Sequence, residues 1–489
     1  MLVKGTPSTP PQGPRSSLPT ALLVRLGLQT TPGRIRALAT VAVLSIAGYC
    51  IVASFAIGNA RDGLRVIGHD AGPQVLATSD LYFALSDLDS QVVGLLLTGR
   101  EQSLGTRQQA LNRYGQDRAT ADRAAVQAAE LSAGDPTDQA TVRSVLDGLG
   151  RYERLASQAI LLDEQANPPA GPPPGSVIAV YRQAADLMKL ELLPKAYNLT
   201  LEGGATVREA YVAKRSAMLS GRLWVALAGL VMIAIVFGLQ LFVAAHFRRL
   251  LNPALALATI GLIVLTVSAV RLLSGEAGHL QSAKFGGFDS ILTMSRARAI
   301  SNSLLADEGR FLLDPGRADT YSLAYLDKSQ TVLYVPSGNL GEYYAGLSGA
   351  MKKYLANPRA VKFPGGFYGD EARAHSGPAL TVVLTRYQQF QSDDQRIRQL
   401  AGVGDDQQAI RLLTGRAAGS SSYDFDQYDR AVVSLIGLHR GAFDQAIHAG
   451  DRELGRSILG SWAGLLPFAA IGAAILIVVG VHARLAEYR

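Results

Sequence analysis

Residues 223–270 constrain this chain more than any other stretch. Two apolar runs, 223–245 and 251–270, flank the short segment HFRRL, which carries His246, Arg248 and Arg249. A helix needs about 20 apolar residues to cross a hydrocarbon core roughly 30 Å thick, and neither run contains a charged side chain. With so little chain between them, the runs predict a tight membrane hairpin. Two further apolar windows, 37–57 and 463–481, bring the expected spans to four. A mean hydropathy of +0.15 suits a few spans carrying large polar segments better than a many-span transporter.

Charge sets the expected orientation. The ends and the hairpin turn are strongly basic, through Lys4, Arg15, Arg25, Arg34, Arg36, Arg248, Arg249, Arg484 and Arg489 against Glu487 alone. The long segments 58–222 and 271–462 are close to neutral, so the net charge of +7 is concentrated in the short segments. The positive-inside rule then places both termini and the turn in the cytoplasm and both long segments outside. On this reading the basic pI is a topological signal, and nucleic acid is not an expected partner. The first span starts too late and is too long for a cleaved signal peptide. Cys50, the only cysteine, lies inside it and cannot staple an outer domain.

Helical periodicity fills the long segments. Leu81, Leu85, Leu88, Val92 and Leu95 recur at spacings of four and three, the seam of a helix in a left-handed bundle. Helices are predicted over about 103–131, from Thr137, and from Ser176 after the stiff connector NPPAGPPPG (167–175), with Pro194 kinking or interrupting the last. The second segment predicts a helix to about Leu313, then helices near 316–330, 340–356 and 378–415, and a long one capped by Ser421 or Ser422. The stretch 332–377 is turn-rich and aromatic, and reads equally as a contact surface or as side chains packed under their own loops.

The expected fold is all-α: four transmembrane helices with two extracytoplasmic four-helix-bundle domains in tandem. Its order is a disordered basic tail (1–36), the span 37–57, bundle 58–222, the span 223–245, the turn 246–250, the span 251–270, bundle 271–462, the span 463–481 and the tail 482–489. The expected location is the cell membrane, multi-pass. The halves repeat: LSDLDSQVVGLLLTG (85–99) laid on MSRARAISNSLLADE (294–308) sets Asp87 and Asp89 opposite Arg296 and Arg298. The second seam also carries Asn302, and buried polar groups cost stability unless paired or bound to something. Asp87, Asp89, Arg296, Arg298 and Asn302 are therefore the candidate ligand or partner site, against the plainer reading of a solvated charged face. His246, Arg248 and Arg249 are the candidate cytoplasmic output.

Catalytic motifs are absent: HExxH, P-loop, GxSxG and kinase signatures do not occur. The seven histidines are scattered and none stands at ligand spacing from another or from Cys50, so neither metal nor cofactor is expected. The spans hold few polar groups, which argues against transport. The chain reads as a non-enzymatic sensor, with a structural or scaffolding envelope protein as the alternative, and a homo-oligomer is compatible with either.

A span, an extracytoplasmic four-helix bundle and a second span resemble the input half of bacterial chemoreceptors and sensor kinases, here twice over. The tandem arrangement, the Pro-rich N-terminal tail and the Ala/Gly/Arg-rich composition resemble the actinobacterial GlnX-type membrane signalling family. That resemblance rests on architecture and carries no signature residue across. It implies amino-acid sensing and two partners, an extracytoplasmic amino-acid-binding lipoprotein and a cytoplasmic Ser/Thr protein kinase.

Overall fold

The computed structural model describes residues 31–99, 104–132, 136–247, 252–358, 361–455 and 462–485. Among them it contains no strand, and the all-α expectation holds. The α-helices, in chain order, are α1 Thr31–Arg65, α2 Gly72–Thr98, α3 Leu104–Leu131, α4 Pro136–Ala166, α5 Gly175–Leu187 and α6 Leu193–Phe247. They continue with α7 Pro253–Gln281, α8 Asp289–Leu313, α9 Ala318–Val332, α10 Leu340–Ala356 and α11 Phe367–Ala374. The last four are α12 Pro378–Gly402, α13 Asp406–Thr414, α14 Ser421–Gly455 and α15 Trp462–Leu485.

Among the described residues four helices are long and apolar enough to cross a membrane, and they overlap the four windows expected from the sequence. The chain is an all-α, multi-pass membrane protein. Its apolar unit comprises residues 1–62, 214–277 and 450–489. In it Leu44, Ile51, Phe55, Trp224, Leu230 and Phe468 are exposed, large side chains that lipid can cover. Inside the unit, small residues let backbones approach. A Cβ added to Gly229 in α6 would stand 2.3 Å from Cγ2 of Thr266 in α7, so glycine is what closes the hairpin. Asn252 ties the start of α7 to α15: its Oδ1 accepts from the amide of Ala254 at 3.2 Å, and its Nδ2 donates to the carbonyl of Gly480 at 2.9 Å.

The polar unit comprises residues 63–213 and 278–449, drawn from both long segments. The expected helix pairs within each segment are present: α2 packs on α3 and α4 on α5, while α8 packs on α9 and α10 on α12. The two segments nevertheless share one core instead of closing two. The seam residues Leu81, Leu85, Leu88, Val92 and Leu95 are buried in the same cluster as Met294, Ala297, Leu304 and Leu313 of α8. The physical reason is that α2 and α8 lie along each other. A Cβ on Gly309 would meet Val93 Cγ1 at 2.4 Å, so the two helices touch where a side chain is missing.

Local expectations were met at most helix ends and in the interruption at Pro194, and missed at two places. α12 stops at Gly402, and α13 begins separately at Asp406 with the Asp405 side chain accepting from the amide of Gln408. Pro194 does not end its helix. A π-helical turn over Met188–Leu192 precedes it and α6 runs on from Leu193; a wider turn accommodates the hydrogen bond proline cannot donate. The turn-rich stretch holds a further helix, α11. Its aromatics settle as packing: Tyr343, Tyr344, Tyr354, Phe363 and Tyr368 are buried in the core.

Candidate functional site

The five residues singled out from the sequence fall into separate settings within the polar unit. Arg298, on α8, forms a two-pronged ion pair with Asp429 of α14, Nε to Oδ1 at 2.6 Å and Nη2 to Oδ2 at 2.8 Å. Its guanidinium also lies 3.5 Å from the centre of the Phe83 ring, a cation–π contact with α2. Asp87 belongs to this neighbourhood. Burial, then the carboxylates of Asp117 and Asp429, push it up to about 7, with Arg298 opposing. Asp117 is held at about 6, mainly by burial.

Arg296 instead reaches toward α6, donating Nη2 to the carbonyl of Thr200 at 3.2 Å, with its Nε lacking a hydrogen-bond partner. Asn302 is buried in α8, and its Oδ1 is likewise unpartnered. Asp89 does not meet Arg298. It is buried against Arg310, which the sequence reading passed over. Arg310 is fully buried and donates to Asp89, to Asp307 at 2.7 Å and, through Nε, to the hydroxyl of Tyr181 at 2.9 Å. Tyr152 donates to the other oxygen of Asp89 at 3.3 Å, and Lys328 pairs with Asp307. The positive groups around Asp307 overcome burial and hold its carboxyl well below the usual range. This network, Asp89, Tyr152 and Tyr181 from one segment and Asp307, Arg310 and Lys328 from the other, stitches the shared core.

A cavity of about 140 Å³ opens beside Arg298 between α2, α8 and α14, lined by Leu76, Asp80, Phe83, Ile291, Arg298 and Arg440 among others. Its size is that of cavities that accept a benzene-sized molecule. It combines two guanidinium groups, one carboxylate and apolar walls, a composition suited to a small ligand with both charges. Asp429, Asp80 and Arg440 are additions that only the tertiary structure makes, because they lie on different helices from Arg298.

Glu371 of α11, His375 just after it and His439 of α14 bring one ligand atom each to within 4.8 Å of one another. The sequence reading compared histidines only with histidines and cysteine and so passed over this grouping, in which Glu371 and His375 stand four residues apart, on one face of a helical turn. In the apolar unit, His246 is exposed and stacks on Phe242, ring centres 4.9 Å apart. Arg248 and Arg249 lie outside the described residues.

The helical polar unit and the four apolar helices define an all-α, multi-pass membrane protein. Residues 63–212, which supply α2 to α5 and the first part of α6, match the family model of an actinobacterial sensor domain. No curated protein and no solved structure matches the chain. A sensing role is what the match supports, and the matched segment provides one wall of the Arg298 cavity.

Proposed function

We propose that the protein is a non-enzymatic transmembrane sensor that passes an extracytoplasmic amino-acid signal to a cytoplasmic Ser/Thr kinase. The observation that carries the reading is the Arg298 cavity, set against the segment that resembles a sensor domain. Its guanidinium groups suit an α-carboxylate and Asp80 suits an ammonium group, so the cavity takes a zwitterion better than a neutral solute. The signal arrives as the free amino acid or on an amino-acid-binding lipoprotein docked on the same face. Both termini and the 246–250 turn lie in the cytoplasm by the charge asymmetry, and the kinase reads them there. A ligand moves such a device only through unequal affinity for its two states.

The decisive measurement uses the full chain in nanodiscs, titrated calorimetrically with each free amino acid and then with a loaded binding lipoprotein. We expect saturable binding that Arg440→Ala weakens at least about tenfold, with helix content unchanged. Absence of binding in both titrations overturns the proposal. A second reading, a scaffold without switching, is favoured by the buried Arg310 network, which locks the two segments together. Cross-links between spans that stay the same with and without bound ligand would select it.

A further inference from the structure

We infer that Glu371, His375 and His439 form a binding site for a divalent transition-metal ion of the zinc type. Glu371 Oε1 stands 2.9 Å from His439 Nε2 and 3.4 Å from His375 Nδ1. Ligands at about 2.0–2.2 Å around a tetrahedral ion are separated by about 3.3–3.4 Å, so these spacings bracket what zinc requires with sub-ångström adjustment.

Hydrogen bonding gives a second argument. Glu371 Oε1 and His439 Nε2 are buried and face each other at 2.9 Å without a well-aligned hydrogen bond between them. A buried carboxylate and imidazole this close, without a proton well aligned between them, leave room for a bridging ion that would satisfy both. The opposite nitrogen of His439, Nδ1, lies 3.4 Å from the carbonyl of Gly286. That contact keeps the proton on Nδ1 and leaves Nε2 free to ligate, the usual outer support of a metal-bound imidazole. Ser290 Oγ hydrogen-bonds His375 Nδ1 at 3.1 Å, a contact this nitrogen would exchange for the ion.

The donor set selects the ion. Two imidazoles and one carboxylate suit zinc and its transition-metal neighbours, whereas calcium and magnesium prefer all-oxygen shells. Glu371 and His439 are nearly enclosed, but the His375 side chain is 37 % exposed and provides an entry path. Three protein ligands leave the fourth position to water. The ion would join α11 to α14, two helices distant in sequence, and its binding energy would be folding energy for the turn-rich region.

The competing account is a plain Glu371–His439 ion pair, and one experiment separates the two. The full chain, purified in nanodiscs through a histidine-free tag and stripped with a chelator, is titrated with Zn²⁺ against a chromogenic chelator. Parallel samples receive Co²⁺ as a spectroscopic probe. We expect one Zn²⁺ per chain, the intense visible bands of tetrahedral cobalt, and a zinc-dependent rise in melting temperature. His375→Ala, at the exposed ligand, should keep the helix content and weaken zinc binding at least about tenfold; His439→Gln should abolish the cobalt bands. No cobalt bands and no zinc-dependent melting shift in the wild type overturn the site. Equal zinc affinity in the wild type and in His375→Ala overturns it too, by placing the ion elsewhere.

Discussion

Arg310 of α8 donates to the carboxylate of Asp89 of α2, and both side chains are buried almost completely. The pair joins the two long segments at the centre of their shared core. Removing Arg310 leaves Asp89 charged in a poorly solvating interior with only the Tyr152 hydroxyl beside it, and breaking a buried pair in this way typically costs about 3–5 kcal/mol. Arg310→Met should therefore lower the melting temperature sharply. The double variant Arg310→Met with Asp89→Leu should lose less than the sum of the two single changes, measured in a double-mutant cycle by denaturant unfolding in detergent. Strict additivity would show that the pair is uncoupled.

Asp393 of α12 is buried, and burial followed by the nearby Asp424 pushes its carboxyl up to about 7. A carboxyl whose folded pKa is raised binds its proton more tightly in the folded state. Its contribution is fully present below about pH 4 and is lost as the pH rises through about 7. Asp393→Asn should flatten this decline and leave the variant about 1–2 kcal/mol more stable than the wild type at pH 8, after allowance for solvent screening. Parallel stability–pH curves for the two proteins would contradict the assignment.

Gly229 and Gly238 lie on the same membrane helix but differ in surroundings. A Cβ at Gly229 collides with Thr266, whereas one at Gly238 meets nothing within 4 Å. Gly229→Ala should destabilise the hairpin by about 1–3 kcal/mol, and Gly238→Ala should be close to neutral. Thermal unfolding in one detergent, with both variants side by side, checks the contrast. Equal effects would mean that α6 and α7 do not approach at Gly229.

Arg298 is held by Asp429 and by Phe83 at once. Arg298→Lys keeps the charge but loses the two-pronged geometry, and should destabilise the polar unit by about 1–2 kcal/mol. Arg298→Ala strands Asp429 and should cost more. Urea midpoints of the three proteins give the order directly. An alanine variant as stable as the wild type would reduce the pair to a solvated contact.

On the proposed relay, deleting residues 1–33, or replacing both Arg248 and Arg249 by Ser, should leave ligand binding intact while uncoupling it from phosphorylation by the proposed kinase partner. Kinase output in cells expressing the variants measures this. Persistent output in both would move the readout to another surface.

The sequence by itself determined the spans, the helical class and most helix ends, because these are local. The length of an apolar run sets whether a helix can cross a bilayer, and Gly, Pro and capping residues stop helices within a turn or two. It also flagged Asn302 and an arginine of the pair Arg296 and Arg298 as polar groups near a seam, with Asp87 and Asp89 opposite the arginines in the repeat. Their partners could not be read along the chain, since Asp89 and Arg310 are separated by 221 positions and Arg298 and Asp429 by 131. Only the packing of α2 on α8, made possible by the missing side chain at Gly309, decided that the two segments share one core. The same long-range packing brought His439 to Glu371 and His375. A charge alternation or a lone histidine carries no information about what stands across from it, because that depends on how whole helices pack.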